Sequence, residues 1–519
     1  MPCYSLPRGL VARHPQPNEP ATTETMMNAD FSKMWINGAW LVGDAPPRPV
    51  INPTTGGVIA EVPEASAAQA LDAVAAARAA QPAWGRMTPL ARGRVMHRIA
   101  ALIREHSEPL ARLVVQEQGK PIAEARGEIG GAAEFFTYFA EFARRIQGEI
   151  LPSDILGEQI WIQRVPVGVV VGIIPWNYPA ALVSRKVAPA MIAGNTIVLK
   201  PHEETPLSAL YMARLMAEAG VPDGVVNIVT GAGATVGAAL TGHPGVDLIT
   251  MTGSVPTGRR IMQAAAGNLV PVSLELGGKA PFIVMEDADL DQAVAAAVTS
   301  RFMNCGQVCI CAERILVHDR IHDAFVDRFV AATKRLRIGD PLAETTDIGP
   351  KVSMAELEKV ERLTAAAIAA GAEPLLLGGR PDVAPVAGGF WLTPTVLGAT
   401  SADMAIMRDE VFGPVVPILK VADFEEAIAI TNNSQYGLSA YLFTNDFRRI
   451  MRAVQEISFG EIYLNRIGPE ALQGYHTGYR SSGPGGDDGV HGLEAYLRKK
   501  TVYANFSGRN QEGLMPYGA

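Results

Sequence analysis

The sequence predicts an α/β protein, doubly wound about buried parallel strands. Three observations carry that reading. From about residue 168 to 285, short β-branched runs alternate with helix-like stretches. Each run is bounded by Gly or Pro and is apolar throughout, as in strands covered on both faces. With 48% apolar and 19% charged residues in 519, the chain can build a large core without staples. As a soft prior, that length is also about three domains' worth of chain.

The elements follow in chain order. The opening "MPCYSLPRGLVARHPQPNEP" belongs to a Pro-rich, polar stretch, residues 1–33, with no continuous apolar run of a secretory leader. It reads as a flexible extension, with Met26 or Met27 as an alternative start. "SAAQALDAVAAARAAQPAW" (66–84) predicts a helix capped by Ser66. "VGVVVGII", "NTIVLK", "VVNIVT" and "VDLITMTG" predict successive strands. Past residue 279 the texture repeats, with "APFIVM" and "RILVHD" as strands and "IHDAFVDRFVAATKRLR" as an amphipathic helix. "EQIWIQRVPV" (158–167) and "RKKTVYANF" (498–506) read as extended strands outside these units. They are expected to pair with each other and carry an oligomer contact.

Charge narrows the function classes. The net charge is −8, from 45 basic and 53 acidic residues, with no basic tract for nucleic acid or an anionic membrane. Apolar runs such as "VGVVVGIIPW" (167–176) fall short of the roughly 20 residues that span a bilayer. Four cysteines in so long a chain point to a reducing compartment, the cytoplasm.

Three of those cysteines crowd into "NCGQVCICAER" (304–314). The spacing C-x3-C-x-C lacks the C-x2-C pair of a zinc site and has no nearby histidine, so no metal is expected. A structural disulfide is not expected in the cytoplasm either. Buried filler is the ordinary reading of any one Cys. The company of Cys309 changes it. "PWNYP" holds Asn177 between two prolines after a buried strand, where its amide can donate to a ligand or close an Asx turn. "VLKPHEETP" ends a strand with Lys200 and Glu203, the place where open α/β sheets bind ligands. "TGAGATVG" spaces Gly231, Gly233 and Gly237 as G-x-G-x3-G, one residue longer than the dinucleotide fingerprint. "MTGS" closes another strand with Gly253 and Ser254 and opens a helix fit for a pyrophosphate. "LELGGKAP" carries Glu275, a base for a nearby thiol or an exposed strand-end carboxylate.

Together these stretches resemble the aldehyde dehydrogenase superfamily, from about Met34 to Phe506. P-W-N-x-P, K-P-x-E-x-T-P, T-G-S, E-L-G-G-K, G-Q-x-C and E-x-F-G-P-V all occur, in the family's order. "YLNR", "EALQGYHTGYR" and "GGDDGVHGLEAYL" are similar to the bacterial lactaldehyde/glycolaldehyde dehydrogenases. The resemblance implies a Rossmann-like NAD-binding domain (34–149 and 168–277) and an α/β catalytic domain (278–484). It also implies small oligomerisation strands (150–167 and 485–508), a tail (509–519) and a homo-oligomer, dimer or tetramer. It further implies Cys309 as nucleophile, with Cys305 and Cys311 as bystanders, Glu275 as general base and Asn177 as oxyanion donor. The NAD site would comprise Ile173, Ile174, Trp176, Lys200, Glu203, Gly233, Gly237, Gly253, Ser254, Leu276, Glu410 and Phe412. Arg185, Glu470 and His476 would hold a small polar aldehyde.

That chemistry suits the residues. A thiolate turns an aldehyde into a thiohemiacetal that can lose hydride, and a base then hydrolyses the thioester. Glu203 accepts from ribose hydroxyls but repels a 2′-phosphate, by about 4 kcal/mol for charges about 4 Å apart at an effective dielectric of about 20. This favours NAD. A pocket glutamate accepts from a substrate hydroxyl, favouring lactaldehyde or glycolaldehyde. The rival is a semialdehyde dehydrogenase, with Arg185 and His476 anchoring a carboxylate. Where the subgroup places an aromatic residue before the glutamate, this chain has Pro469, which reshapes the pocket wall. A non-catalytic binding descendant would have lost Cys309, Glu275 or Asn177, and all three are present.

Overall fold

The computed structural model describes residues 30–382 and 384–508. Most of the expected extension, including Met26 and Met27, and the tail 509–519 lie outside the described residues. The Ala-rich segment forms the helix Ala67–Arg86, opened by a reciprocal capping box between Ser66 and Gln69. It buries Ala70, Ala73, Val74, Ala77 and Trp84. The four expected strands form as Val169–Ile173, Thr196–Lys200, Val226–Ile228 and Leu248–Thr252. With Val272–Glu275 they make a parallel sheet ordered Val272, Leu248, Val169, Thr196, Val226 by first residue, extended by antiparallel Met34–Ile36 and Ala39–Leu41. The order reverses between the Val169 and Leu248 strands. Ligands of open α/β sheets sit at such a switch, beyond the carboxyl ends. The helix Pro179–Ala193 follows the Val169 strand and is buried along nearly its whole length. A left-handed Gly194 (φ 92°) stops it.

A second sheet holds Ala280–Val284 as the third strand from one edge. On one side lie Ala312–His318, Val415–Val421, Thr395–Gly398 and antiparallel Glu373–Leu376; on the other, Ser439–Phe443 and Glu461–Leu464. "IHDAFVDRFVAATKRLR" forms the helix His322–Thr333, burying Phe325 and Phe329. Each sheet has its own apolar core, and burying one Val, Ile, Leu or Phe contributes about 1.5–3 kcal/mol. In chain order, only Leu276–Lys279 separate the last strand of the first sheet from the first strand of the second. The carboxyl edge of one sheet is thereby tied to the amino edge of the other.

The two outlying strands do pair. Leu497–Asn505 runs antiparallel to Glu158–Pro166 along its full length, and Glu149–Pro152 completes a separate three-stranded sheet. Among the described residues no helix is long and apolar enough to cross a membrane.

Candidate active site

The seam between the sheets opens into a cavity of about 490 Å³. Cys309 lies in the loop between the turn Met303–Gly306 and the strand Ala312–His318. Asn304 and Cys305 take left-handed backbone conformations there (φ 48° and 56°). The Asn304 N–H donates to both Glu124 oxygens (3.1 and 3.0 Å), and Gln307 Oε1 accepts from Val352 N (3.0 Å). Cys305 and Cys311 are buried, and burial pushes their thiols up to about 11 and about 12. Cys309 alone of the three is partly exposed and lines the cavity. Gly278 lets it sit there: a β-carbon on Gly278 would come within 2.8 Å of the Cys309 carbonyl oxygen.

Asn177 faces the same loop. Its Nδ2 donates to Gln307 O (3.2 Å), and its carbonyl accepts from Lys120 Nζ (2.8 Å) and Asn304 Nδ2 (3.1 Å). Lys120 pairs with Glu128 (2.5 Å) in full burial, and Glu128 accepts the Ala180 and Ala181 N–H groups at the start of the Pro179–Ala193 helix. Charge pairing and helix capping together lock the Asn177 turn.

Glu275 ends its strand buried, not exposed, and neither carboxylate oxygen has a hydrogen-bond partner among the described residues. Burial pushes its carboxyl up to about 8, against the pull of His476. The His476 ring lies with Nε2 3.5 Å from Glu275 Oε2 and Nδ1 3.1 Å from Glu461 Oε2. Burial alone would favour the neutral ring, but Glu470 and Glu461 outweigh it and hold the imidazole well above its ordinary range. Arg185 is enclosed by carboxylates: it pairs with Asp488 and with Glu470 (2.7 Å), and Asp487 lies 3.8 Å away. The neighbouring Lys186 takes Asp487 at 2.5 Å. The substrate trio expected from sequence is therefore assembled, within a charge cluster that sequence did not reveal. Phe135, Leu182, Leu472 and Pro469 form the apolar wall beside it.

The expected cofactor residues fall into two groups. Trp176, Gly253, Ser254, Leu276, Glu410 and Phe412 line the cavity. Phe412 meets Trp176 edge-on at 5.4 Å. Glu410 accepts from Gly278 N (2.8 Å) and packs where a β-carbon on Gly277 would stand 2.5 Å from its carboxylate. Burial raises the Glu410 carboxyl to about 7. Lys200, Glu203, Gly233 and Gly237 gather along the sheet edge: Glu203 Oε1 accepts from Gly233 N (2.5 Å) and lies 3.4 Å from Lys200 Nζ. Burial would raise the Glu203 carboxyl, but Lys200 outweighs it and holds the group below the usual range. Gly233–Gly237 wind as a wide π-type turn. Ser254 leads the helix Val255–Ala266, its hydroxyl 3.0 Å from Thr257 Oγ1. Ile173 and Ile174 are buried at the end of the central strand and do not line the cavity.

These residues fit a dinucleotide at the switch point. Buried polar atoms without partners, Thr252 Oγ1 and both Glu275 oxygens, belong to residues lining the cavity beside the Trp176–Phe412 pair.

A thiol, an unpartnered carboxylate and a fixed amide facing one cleft between two α/β sheets define an enzyme built for covalent carbonyl chemistry. The family model for the aldehyde dehydrogenase family matches residues 40–502, and the chain belongs to that family. Lactaldehyde dehydrogenase of Escherichia coli (strain K12) is 44% identical, over 90% of this chain and 96% of its own. Glutarate-semialdehyde dehydrogenase of Pseudomonas aeruginosa is 40% identical, over 90% of this chain and 96% of its own. A solved 3,6-anhydro-L-galactose dehydrogenase in complex with NAP superposes with a TM-score of 0.89 at 45% identity, covering 91% of this chain and 99% of that one.

Proposed function

We propose that this chain oxidises a 2-hydroxyaldehyde, one with a larger body than lactaldehyde, to its carboxylic acid with NAD. The Cys309 thiolate adds to the carbonyl and forms a thiohemiacetal. The free N–H of the Asn177 amide and the Cys309 backbone N–H donate to the new oxyanion, each typically contributing about 10²–10³ in rate. When bound against Trp176 and Phe412, NAD supplies the acceptor for the hydride that leaves the thiohemiacetal carbon. Glu275, with no donor occupying its oxygens, takes a proton from water as that water attacks the thioester. Glu410 and the Lys200–Glu203 pair hold the two riboses, and an anionic Glu203 repels a 2′-phosphate.

The surroundings of Arg185 carry the substrate reading. Its guanidinium is already matched by Asp488, Glu470 and Asp487, so no net positive charge waits for a substrate carboxylate. Glu470 is left to accept from a substrate hydroxyl. The apolar wall of Phe135, Leu182, Leu472 and Pro469 makes room for a cyclic or longer carbon body. Being similar to both a lactaldehyde and an anhydrogalactose dehydrogenase supports that class. The three-stranded sheet supports self-association, since Ile150 and Tyr503 stand exposed on it, with Leu156 in the turn between its strands and Phe506 just past its end.

The test is initial rates with lactaldehyde, glycolaldehyde, 3,6-anhydro-L-galactose, succinate semialdehyde and glutarate semialdehyde, each with NAD and NADP. Hydroxyaldehydes are expected to exceed semialdehydes in kcat/KM by roughly tenfold or more, because an unmet Glu470 is penalised. Higher kcat/KM for either semialdehyde overturns the reading.

A further inference from the structure

Lys351 is a charged group that no step of the proposed reaction uses. It is fully buried, and among the described residues it has no ion-pair partner. A lone ammonium in the interior is costly, so the one hydrogen bond of its side chain is informative. Nζ donates to the carbonyl of Phe412 at 2.5 Å and stands 6.0 Å from the Trp176 ring centroid. Phe412 and Trp176 are the two rings that meet edge-on in the cavity.

Phe412 needs holding. Its backbone is left-handed (φ 55°), a conformation that a bulky side chain rarely adopts. Glu313 accepts its N–H (3.0 Å), and Arg301 donates to the carbonyl of Gly413 (2.6 Å). Between these two scaffold anchors the Phe412 carbonyl is left to Lys351. The base of Lys351 is fixed in turn, since its backbone N–H donates to Phe390 O (2.8 Å). Its chain neighbours clasp the thiol loop: Pro350 O accepts from Gln307 Nε2 (3.4 Å), and Val352 N donates to Gln307 Oε1 (3.0 Å). Residues 350–352 therefore grip the loop of Cys309 with their backbone and the Phe412 peptide with a side chain.

We propose that Lys351 is a positioning residue for hydride transfer, a strut that keeps the Phe412 ring in register with Cys309. The hydride leaves a carbon held on the Cys309 sulfur and is accepted at the face that Phe412 and Trp176 offer. Donor and acceptor must keep one spacing, and their supports come from separate loops. Lys351 joins those loops. This rests on the reading that the nicotinamide lies against Trp176 and Phe412.

The experiment compares the parent with Lys351→Met, a side chain of similar length without charge or donor. Hydrogen exchange of the cofactor-free, full-length chain, read by peptide mass, is expected to quicken at residues 409–414 and to stay unchanged in the strand Ala280–Val284. Calorimetric titration is expected to show NAD bound severalfold more weakly, with ADP-ribose, which lacks the nicotinamide, bound as before. The first burst of reduced cofactor is expected to slow by about 10–10²-fold, since a misplacement of about 1 Å can cost about 10². Parent exchange at 409–414 in a folded Lys351→Met overturns the proposal. So does equal weakening of NAD and ADP-ribose, the mark of a merely structural lysine. Should Lys351→Met fail to fold, Lys351→Gln, whose amide stops one bond short of the carbonyl, is read by the same measures with the same outcomes. If the parent binds NAD no more tightly than ADP-ribose, the nicotinamide placement of the proposed function falls, while exchange at 409–414 still decides the strut.

Discussion

Two fully buried glutamates, one on each side of the seam, meet opposite treatment. Glu313, in the second sheet, takes Lys279 at 2.8 Å, Arg301 at 3.0 Å and the backbone N–H groups of Val411 and Phe412 at 3.0 Å each. Burial would raise its carboxyl, but Lys279 and Arg301 outweigh it and hold the group down at about 2. Glu275, at the edge of the first sheet, has an equal share of its surface buried and no hydrogen bond to either oxygen. Its carboxyl is pushed the other way, to about 8. Burial is the same; the supply of donors differs. A carboxylate saturated with donors is scaffold, and here it fixes the Glu410–Phe412 stretch. One left short of donors has lone pairs for a proton, and the fold bears the cost.

Breaking each glutamate tests the contrast, and the effects differ in kind. Glu275→Gln is expected to slow steady-state turnover by about 10²–10⁴-fold while preserving a first burst of reduced cofactor, read at 340 nm in a stopped-flow instrument. Glu313→Gln is expected to cost about 3–5 kcal/mol of stability, read as a lowered Tm, because Lys279 and Arg301 lose their counter-charge in the interior. The signs with pH are opposed. Folding holds the Glu313 carboxyl below its unfolded value, so its stabilisation is present above about pH 4.5 and is lost as pH falls through about 2. Folding holds the Glu275 carboxyl above its unfolded value, so ionising it destabilises the native state progressively from about pH 4.5 to about 8. As the proposed base, Glu275 would have to be ionised: kcat is expected to rise through about pH 8, and that limb should vanish in Glu275→Gln. Glu203→Gln gives the smallest effect, a several-fold gain in kcat/KM with NADP relative to NAD, since it removes one charge from a partly exposed site.

The contrast also marks what a sequence can disclose. Strands, the capped Ala67–Arg86 helix and the seam motifs lie in contiguous stretches, where periodicity, Gly and Pro speak directly. Cys309 was legible because it fills the last place of G-Q-x-C amid the other seam motifs, and of the three clustered cysteines it is the one that is partly exposed and lines the cavity. The pairing of the 158–166 and 497–505 strands was legible from their shared extended texture. The supports were not. Lys120, in the link before a distant helix, and Glu128, within it, reach Asn177 and the Ala180 N–H with no local pattern to betray them. Asp487 and Asp488 sit in a stretch singled out for likeness alone, yet they neutralise Lys186 and Arg185. Glu461 is an ordinary strand-start carboxylate until the fold sets it 3.1 Å from His476. Buried charges declare themselves through partners, and partners are chosen by topology.

The link Leu276–Lys279 has one more implication. Four residues extend at most about 14 Å, which limits how far the two ends of this tether can part. Glu275 is fastened to one rigid slab, and the thiol loop is grafted onto the other. This span is one of the chain's crossings between the sheets, and it contains Gly278, where an added β-carbon would stand 2.8 Å from the Cys309 carbonyl oxygen. The width of the cleft and the alignment of base with nucleophile are then linked through this tether, and lengthening that span by a single residue should loosen the link.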